Sequence, residues 1–102
     1  MSLIMVYITC KDKNEAEKIS KLLIGKRLIA CANIFPISSI YKWKAKLVKE
    51  KETALLAKST DQKFDKIVAE VKRVHSYKIP CIEKINTVAN KDFEKWVFGE
   101  IR

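Results

Sequence analysis

The sequence predicts an α+β fold: a β-α-β-β-α-β sandwich with an added C-terminal helix and a long central hairpin. Three observations predict it. Strand-like and helix-like segments alternate in an order that interleaves two crossover units around one sheet. A period-2 alternation, with Ser39, Tyr41, Trp43, Ala45 and Leu47 on one face and Lys42, Lys44 and Lys46 on the other, marks a long hairpin arm. The chain has 102 residues, 48% of them apolar and 32% charged, which suits one globular domain over positions 1–102 with one core.

Residues 3–9 form a nearly unbroken apolar run that includes Val6, Tyr7 and Ile8, the pattern of a central strand buried on both faces. Asp12 follows as an N-cap, with Glu15 three residues on as its capping-box partner. Ala16, Ile19, Leu22 and Leu23 recur at helical spacing and stop near Gly25, so the first helix covers residues 13–26. Residues 28–34 return to short apolar side chains as a second strand, which Phe35-Pro36 interrupts as a bend or bulge because proline cannot serve a central ladder. No Asn-Gly or Asp-Gly marks the turn after the lysine alternation, and the tip falls between residues 45 and 51, with 53–58 as the return strand.

Ser59 and Gln62 have capping-box spacing ahead of a second amphipathic helix carrying Phe64, Ile67, Val68 and Val71. Residues 79–88 make the last strand, with Pro80 at its start, where a missing N–H is tolerated. Asn90 caps a short final helix with Phe93, Trp96, Val97 and Ile101. This order is that of the ferredoxin-like split βαβ sandwich. The hairpin arms, residues 28–58, outrun one subunit's helical cover and leave Tyr41 and Trp43 exposed in a monomer, which predicts an oligomer.

The composition excludes several function classes. No apolar run approaches the roughly 18–20 residues of a membrane span. The opening apolar run is short and lacks a basic flank, so no secretion signal and a cytoplasmic location are expected; Met1-Ser2-Leu3 has the form of a cloning remnant and is set aside. Cys10, Cys31 and Cys81 are odd in number and widely spaced, the pattern of reduced thiols rather than of a disulfide framework or a paired zinc site.

Gly25 and Gly99 are too isolated to build a phosphate-cradling loop, and no nucleophile-elbow motif occurs, so the chain is expected not to be an enzyme. The formal charge is +9, and Lys42, Lys44, Lys46, Lys49 and Lys51 crowd one stretch against Glu50. The return strand, Thr53-Ala54-Leu55-Leu56-Ala57, has no ring to stack a base, so the lysines are expected to blunt an exposed strand edge rather than to bind nucleic acid.

Metal chemistry has few donors: His75, the three cysteines and, among the carboxylates, Glu52. A symmetric trimer, by repeating residues at each interface, assembles such groups more readily than one subunit does. Cu²⁺ would bind most sites of this kind ahead of other first-row divalent ions.

The motifs resemble a known family. Ala30-Cys31-Ala32-Asn33-Ile34 is similar to its A-C-x-N-x signature, and Tyr41-Lys42-Trp43-Lys44-Ala45-Lys46 followed by Glu52 to its Y-x-W-x-G-K…E hairpin. Lys58-Ser59-Thr60 resembles its K-T pair, His75-Ser76-Tyr77-Lys78-Ile79-Pro80 its H-P-Y-x-x-P motif, and Phe93 with Trp96 its Y-x-x-W helix. The order is right and the matches run from Val6 to Trp96. The family is CutA, the divalent-cation tolerance proteins. Ala45 stands at the hairpin glycine and Ser76 at the proline after His75, while Ile8 and Val74 stand where some bacterial members have a Cys and a second His implicated in copper binding.

The resemblance implies a homotrimer packed through its hairpins and sheet edges and a role in the response to metal ions. The site expected is a cleft between subunits formed by Cys31, Asn33, Trp43, Glu52, Lys58, His75 and Tyr77, with His75, Cys31 and Cys10 as metal ligands. The ligand expected is copper or another divalent cation, not essential for folding. The alternative is a PII-like trimeric regulator that binds a small anionic ligand in the same cleft and a protein partner.

Overall fold

The computed structural model describes residues 1–101, and over these the chain forms four strands and three α-helices. In chain order they are β1 (Leu3–Cys10), α1 (Lys13–Gly25), β2 (Cys31–Trp43), β3 (Lys46–Thr60), a 3₁₀ turn (Asp61–Lys63), α2 (Phe64–Val74), β4 (Ile82–Asn86) and α3 (Lys91–Glu100). The sheet order is β2-β3-β1-β4 and every neighbouring pair is antiparallel. This is the α+β, ferredoxin-like sandwich with a C-terminal helix that the sequence predicts.

Alternation along β1 decides where the core sits. Ile4, Val6, Ile8 and Cys10 are fully buried on one face, against Ala16, Ile19 and Leu23 of α1 and Ile67 and Val71 of α2. Met5, Tyr7 and Thr9 on the other face are half-buried, so β1 is not covered equally on both sides as its apolar run suggests. At one end of the sheet α3 packs Val97 and Ile101 onto Leu3 and Ala30 as a second cluster. Leu3, set aside with Met1-Ser2, thus opens β1 as a core residue.

Several boundaries differ from expectation for identifiable reasons. β2 runs without a break through Pro36, which pairs with Thr53 in continuous register. β2 is an edge strand, where the missing N–H costs no central ladder bond. The hairpin tip is the two-residue loop Lys44-Ala45 between the paired Trp43 and Lys46, with φ of 50° and 66°. Positive φ at both positions is the turn whose twist matches antiparallel arms. The return strand therefore starts at Lys46 rather than at position 53.

Ser59 does not cap α2. It stays in β3 opposite Ile4 and donates its hydroxyl to the Leu28 carbonyl, and the 3₁₀ turn makes the helix entry instead. Residues 28–30 are a buried connection held by the Ala30 N–H to the Lys58 carbonyl, so β2 starts at Cys31. β4 is shorter than the run 79–88, beginning only at Ile82. Because the β2–β3 arms project past the helices, the molecule measures 45 × 25 × 21 Å.

Candidate functional site

The projecting hairpin and the loop between α2 and β4 wall an open cleft of about 620 Å³ on the sheet face opposite α1 and α2. Strand alternation selects the hairpin's contribution. Tyr41 and Trp43 of β2 share a face with Val48, Glu50 and Glu52 of β3, because Tyr41 pairs with Val48 and Ile37 with Glu52. The loop adds Ser76, Tyr77, Lys78 and Ile79, and Cys81 and Thr9 complete the lining.

Two carboxylates in this cleft are held by phenols. The Tyr77 hydroxyl donates to Glu52 Oε2, across 25 residues of sequence, and the Tyr41 hydroxyl donates to Glu50 Oε1 at 2.5 Å. Glu52 is buried, at 9% exposure. The neighbouring acids respond to burial and to these charges. Burial, and then the hydrogen bond to Glu52, lift the Tyr77 phenol above its usual range. The bond to Glu50, followed by desolvation and the charges of Glu50 and Glu52, pushes Tyr41 up to about 12. Cys81 rises to about 11 through burial, its hydrogen bond to Glu83, and the charges of Glu83 and Glu52. The cleft is thus a locally negative place on a chain of charge +9.

Behind the cleft, His75, Glu15 and Cys10 bring their donor atoms within 4.8 Å of one another. The Tyr77 N–H donates to His75 Nδ1 at 3.0 Å, so Nε2 carries the proton that it donates to the Thr9 carbonyl at 2.8 Å. Glu15 Oε1 accepts from the Lys11 N–H and Oε2 from the Ser76 N–H, both at 2.9 Å. Burial works against the Glu15 charge, but these backbone bonds, the Ser76 hydroxyl and His75 outweigh it and hold the carboxyl below its ordinary range. Cys10 is fully buried, and burial first, then the Glu15, Asp12 and Glu52 charges, raise its thiol to about 12.

Each imidazole nitrogen and each carboxylate oxygen of this group already makes a hydrogen bond, so an ion here would have to share or displace those bonds. Through them the group is a bracket that fastens the start of the cleft loop to α1 and β1.

Of the residues singled out in the sequence, Trp43, Glu52 and Tyr77 line the cleft, and His75 stands behind Tyr77 with ring centroids 4.8 Å apart. Cys31, Asn33 and Lys58 lie elsewhere in the chain. Cys31 pairs with Lys58, whose Nζ donates to Asn33 Oδ1 at 2.6 Å, and Lys58 pairs with Met5 at the far end of β1. Glu52 is six positions along β3 from Lys58, about 20 Å at strand rise. Within one chain, therefore, Cys31 does not join His75 and Cys10; the shared face that links Cys31 to Asn33 leads away from them. Cys81, one of the three cysteine donors in the sequence, lines the cleft, whereas Tyr41, Glu50, Lys78 and Glu15 enter the site only with the structure.

The family model for the CutA1 divalent ion tolerance protein matches residues 4–100. The chain belongs to the CutA1 family. It is 42% identical over 93 residues to the divalent-cation tolerance protein CutA of Archaeoglobus fulgidus, covering 90% of this chain and 91% of that one. It is 34% identical over 101 residues to the CutA of Pyrococcus horikoshii, covering 98% and 99% of the two chains. Among solved structures, a periplasmic divalent cation tolerance protein CutA from Archaeoglobus fulgidus superposes with a TM-score of 0.96 at 39% identity, over 98% of this chain and 99% of the other.

Two expectations change with these relatives. A cytoplasmic location is not upheld for this CutA1 chain, because a structural neighbour this similar is a periplasmic protein. A short apolar opening strand says where β1 lies and not which compartment the protein occupies. The PII-like alternative also loses its footing, since the family match is to CutA1 and the cleft presents carboxylates, the wrong sign for an anion.

Proposed function

We propose that this CutA1 chain acts in divalent-cation tolerance as a homotrimer that takes a cation, with copper first in affinity, in the cleft beneath the hairpin. Glu52 carries this reading: a buried carboxylate, oriented by the Tyr77 hydroxyl, that faces an open cleft. Glu50 and Glu52 supply oxygen to a divalent ion and Cys81 a sulfur, a mixture that harder and softer ions can share and that Cu²⁺ would bind ahead of its neighbours. The role is binding rather than catalysis.

The homotrimer is supported by the hairpin. Ile40 and Leu47 are 67% and 64% exposed on the projecting arms, and Trp43 is 45% exposed, more apolar surface than an isolated overhang should leave to water. Packing those arms on neighbouring subunits would turn the open cleft into one between chains.

The test is a calorimetric Cu²⁺ titration against a weak competing chelator. Glu52→Gln is expected to weaken binding about tenfold, the loss of one charged partner. Cys10→Ala is expected to leave it unchanged, since Cys10 is buried behind the cleft. Loss of binding in Cys10→Ala with Glu52→Gln unaffected would move the ion to the bracket and overturn the cleft reading.

A further inference from the structure

We propose that the same cleft is a binding site for an organic ammonium ion, a protonated amine carrying a flat apolar body. This rests on the reading of the cleft as a cation site and adds a ligand class to it. Size is the first argument. A space of about 620 Å³ is far larger than one metal ion needs and falls within the roughly 300–1,000 Å³ of small-molecule pockets.

The walls are the second argument. Tyr41, Trp43 and Tyr77 bring three aromatic rings to one cleft, and a ring face attracts a cation through its quadrupole. Val48 and Ile79, the latter 71% exposed, give the body of such a ligand apolar surface to cover.

Charge is the third argument. Glu50 and Glu52 line the cleft against one cation, Lys78, which leaves the lining one negative charge in excess and suits a monocation. Each carboxylate is oriented by a tyrosine hydroxyl before any ligand arrives, so an ammonium group meets acceptors already in place.

Benzylamine, protonated at neutral pH, is the probe, and benzyl alcohol its neutral counterpart. Trp43 lines the cleft and Trp96 sits on α3, so Trp96→Phe leaves one tryptophan as a fluorescent reporter. Benzylammonium is expected to change Trp43 emission saturably, with benzyl alcohol at least about tenfold weaker and Glu50→Gln reducing benzylammonium affinity about tenfold. If Trp96→Phe fails to fold, calorimetry on the unsubstituted protein makes the same comparison between the two probes.

Equal affinity for the two probes, or benzylammonium binding indifferent to Glu50→Gln, overturns the proposal. Cu²⁺ titrated into the same protein separates the two readings. Glu52-dependent Cu²⁺ binding without benzylammonium binding overturns the ammonium site and leaves the metal reading standing. Benzylammonium binding without Cu²⁺ binding overturns the metal reading alone and supports the ammonium site. Binding of neither overturns both.

Discussion

Glu15 joins parts of the chain that lie far apart in sequence. Its own N–H donates to the Asp12 carboxylate at 2.8 Å, and its carboxylate accepts from Lys11 on one side and from Ser76, 61 residues on, at the other. The folded carboxyl lies below the unfolded value of 4.5. Its contribution to stability is therefore fully present above that unfolded value and lost as pH falls through the lowered folded one. Urea unfolding across acid pH is expected to show that loss in the unsubstituted protein and a flatter acid limb in Glu15→Gln. At neutral pH Glu15→Gln should cost about 1–3 kcal/mol, because an amide cannot accept both backbone N–H groups. An acid limb of equal steepness in the two proteins would remove Glu15 from this role.

The local half of this arrangement was legible in the sequence. The spacing of Asp12 and Glu15 announces a capping box, although the reciprocal bond goes to Lys11 rather than to the cap residue. The other half was not, since no local pattern says that Ser76 returns to the start of α1. His75 shows the same limit. As the lone histidine it attracts attention as a ligand, yet its two nitrogens are taken by Thr9 and Tyr77, contacts made by tertiary packing.

At the scale of elements, the hairpin carries both the cleft and its least favourable turn. Lys44 and Ala45 sit at φ of 50° and 66°, in the left-handed region where a Cβ costs about 1–2 kcal/mol and glycine nearly nothing. Ala45→Gly is expected to raise stability by about 1 kcal/mol, read as a higher urea midpoint at unchanged slope. A lower midpoint would show that the turn does not hold that geometry in solution.

The same turn explains why half the cleft was hidden. Without Asn-Gly or Asp-Gly the tip could be placed only between residues 45 and 51, and a slip of one residue reverses which face each side chain takes. Tyr41 meets Glu50 across the strands only once Trp43 is paired with Lys46. Pro36 misled for the opposite reason: its veto on a strand applies to central ladders, and β2 lies at the edge. The helices were legible because their apolar residues repeat at helical period, and β1 because its apolar run is too short for anything but a strand, although that run hid which face the core covers.

For the whole molecule, strand order and layer arrangement follow from the alternation of elements, and the proposed trimer follows from what that arrangement leaves uncovered. Light scattering is expected to give the mass of three subunits, and replacing Ile40 and Leu47 together by lysine should yield monomers that keep their circular dichroism. A monomeric unsubstituted protein would end the trimer reading.

The cleft itself is tested most directly by mapping where the ion goes. In ¹H–¹⁵N spectra, substoichiometric Cu²⁺ broadens amides near the bound metal. Broadening is expected to centre on Glu50, Glu52 and Tyr77 and to spread to Trp43 and Cys81. Broadening centred instead on α1 near Glu15, or scattered over the surface with no cleft maximum, would contradict it.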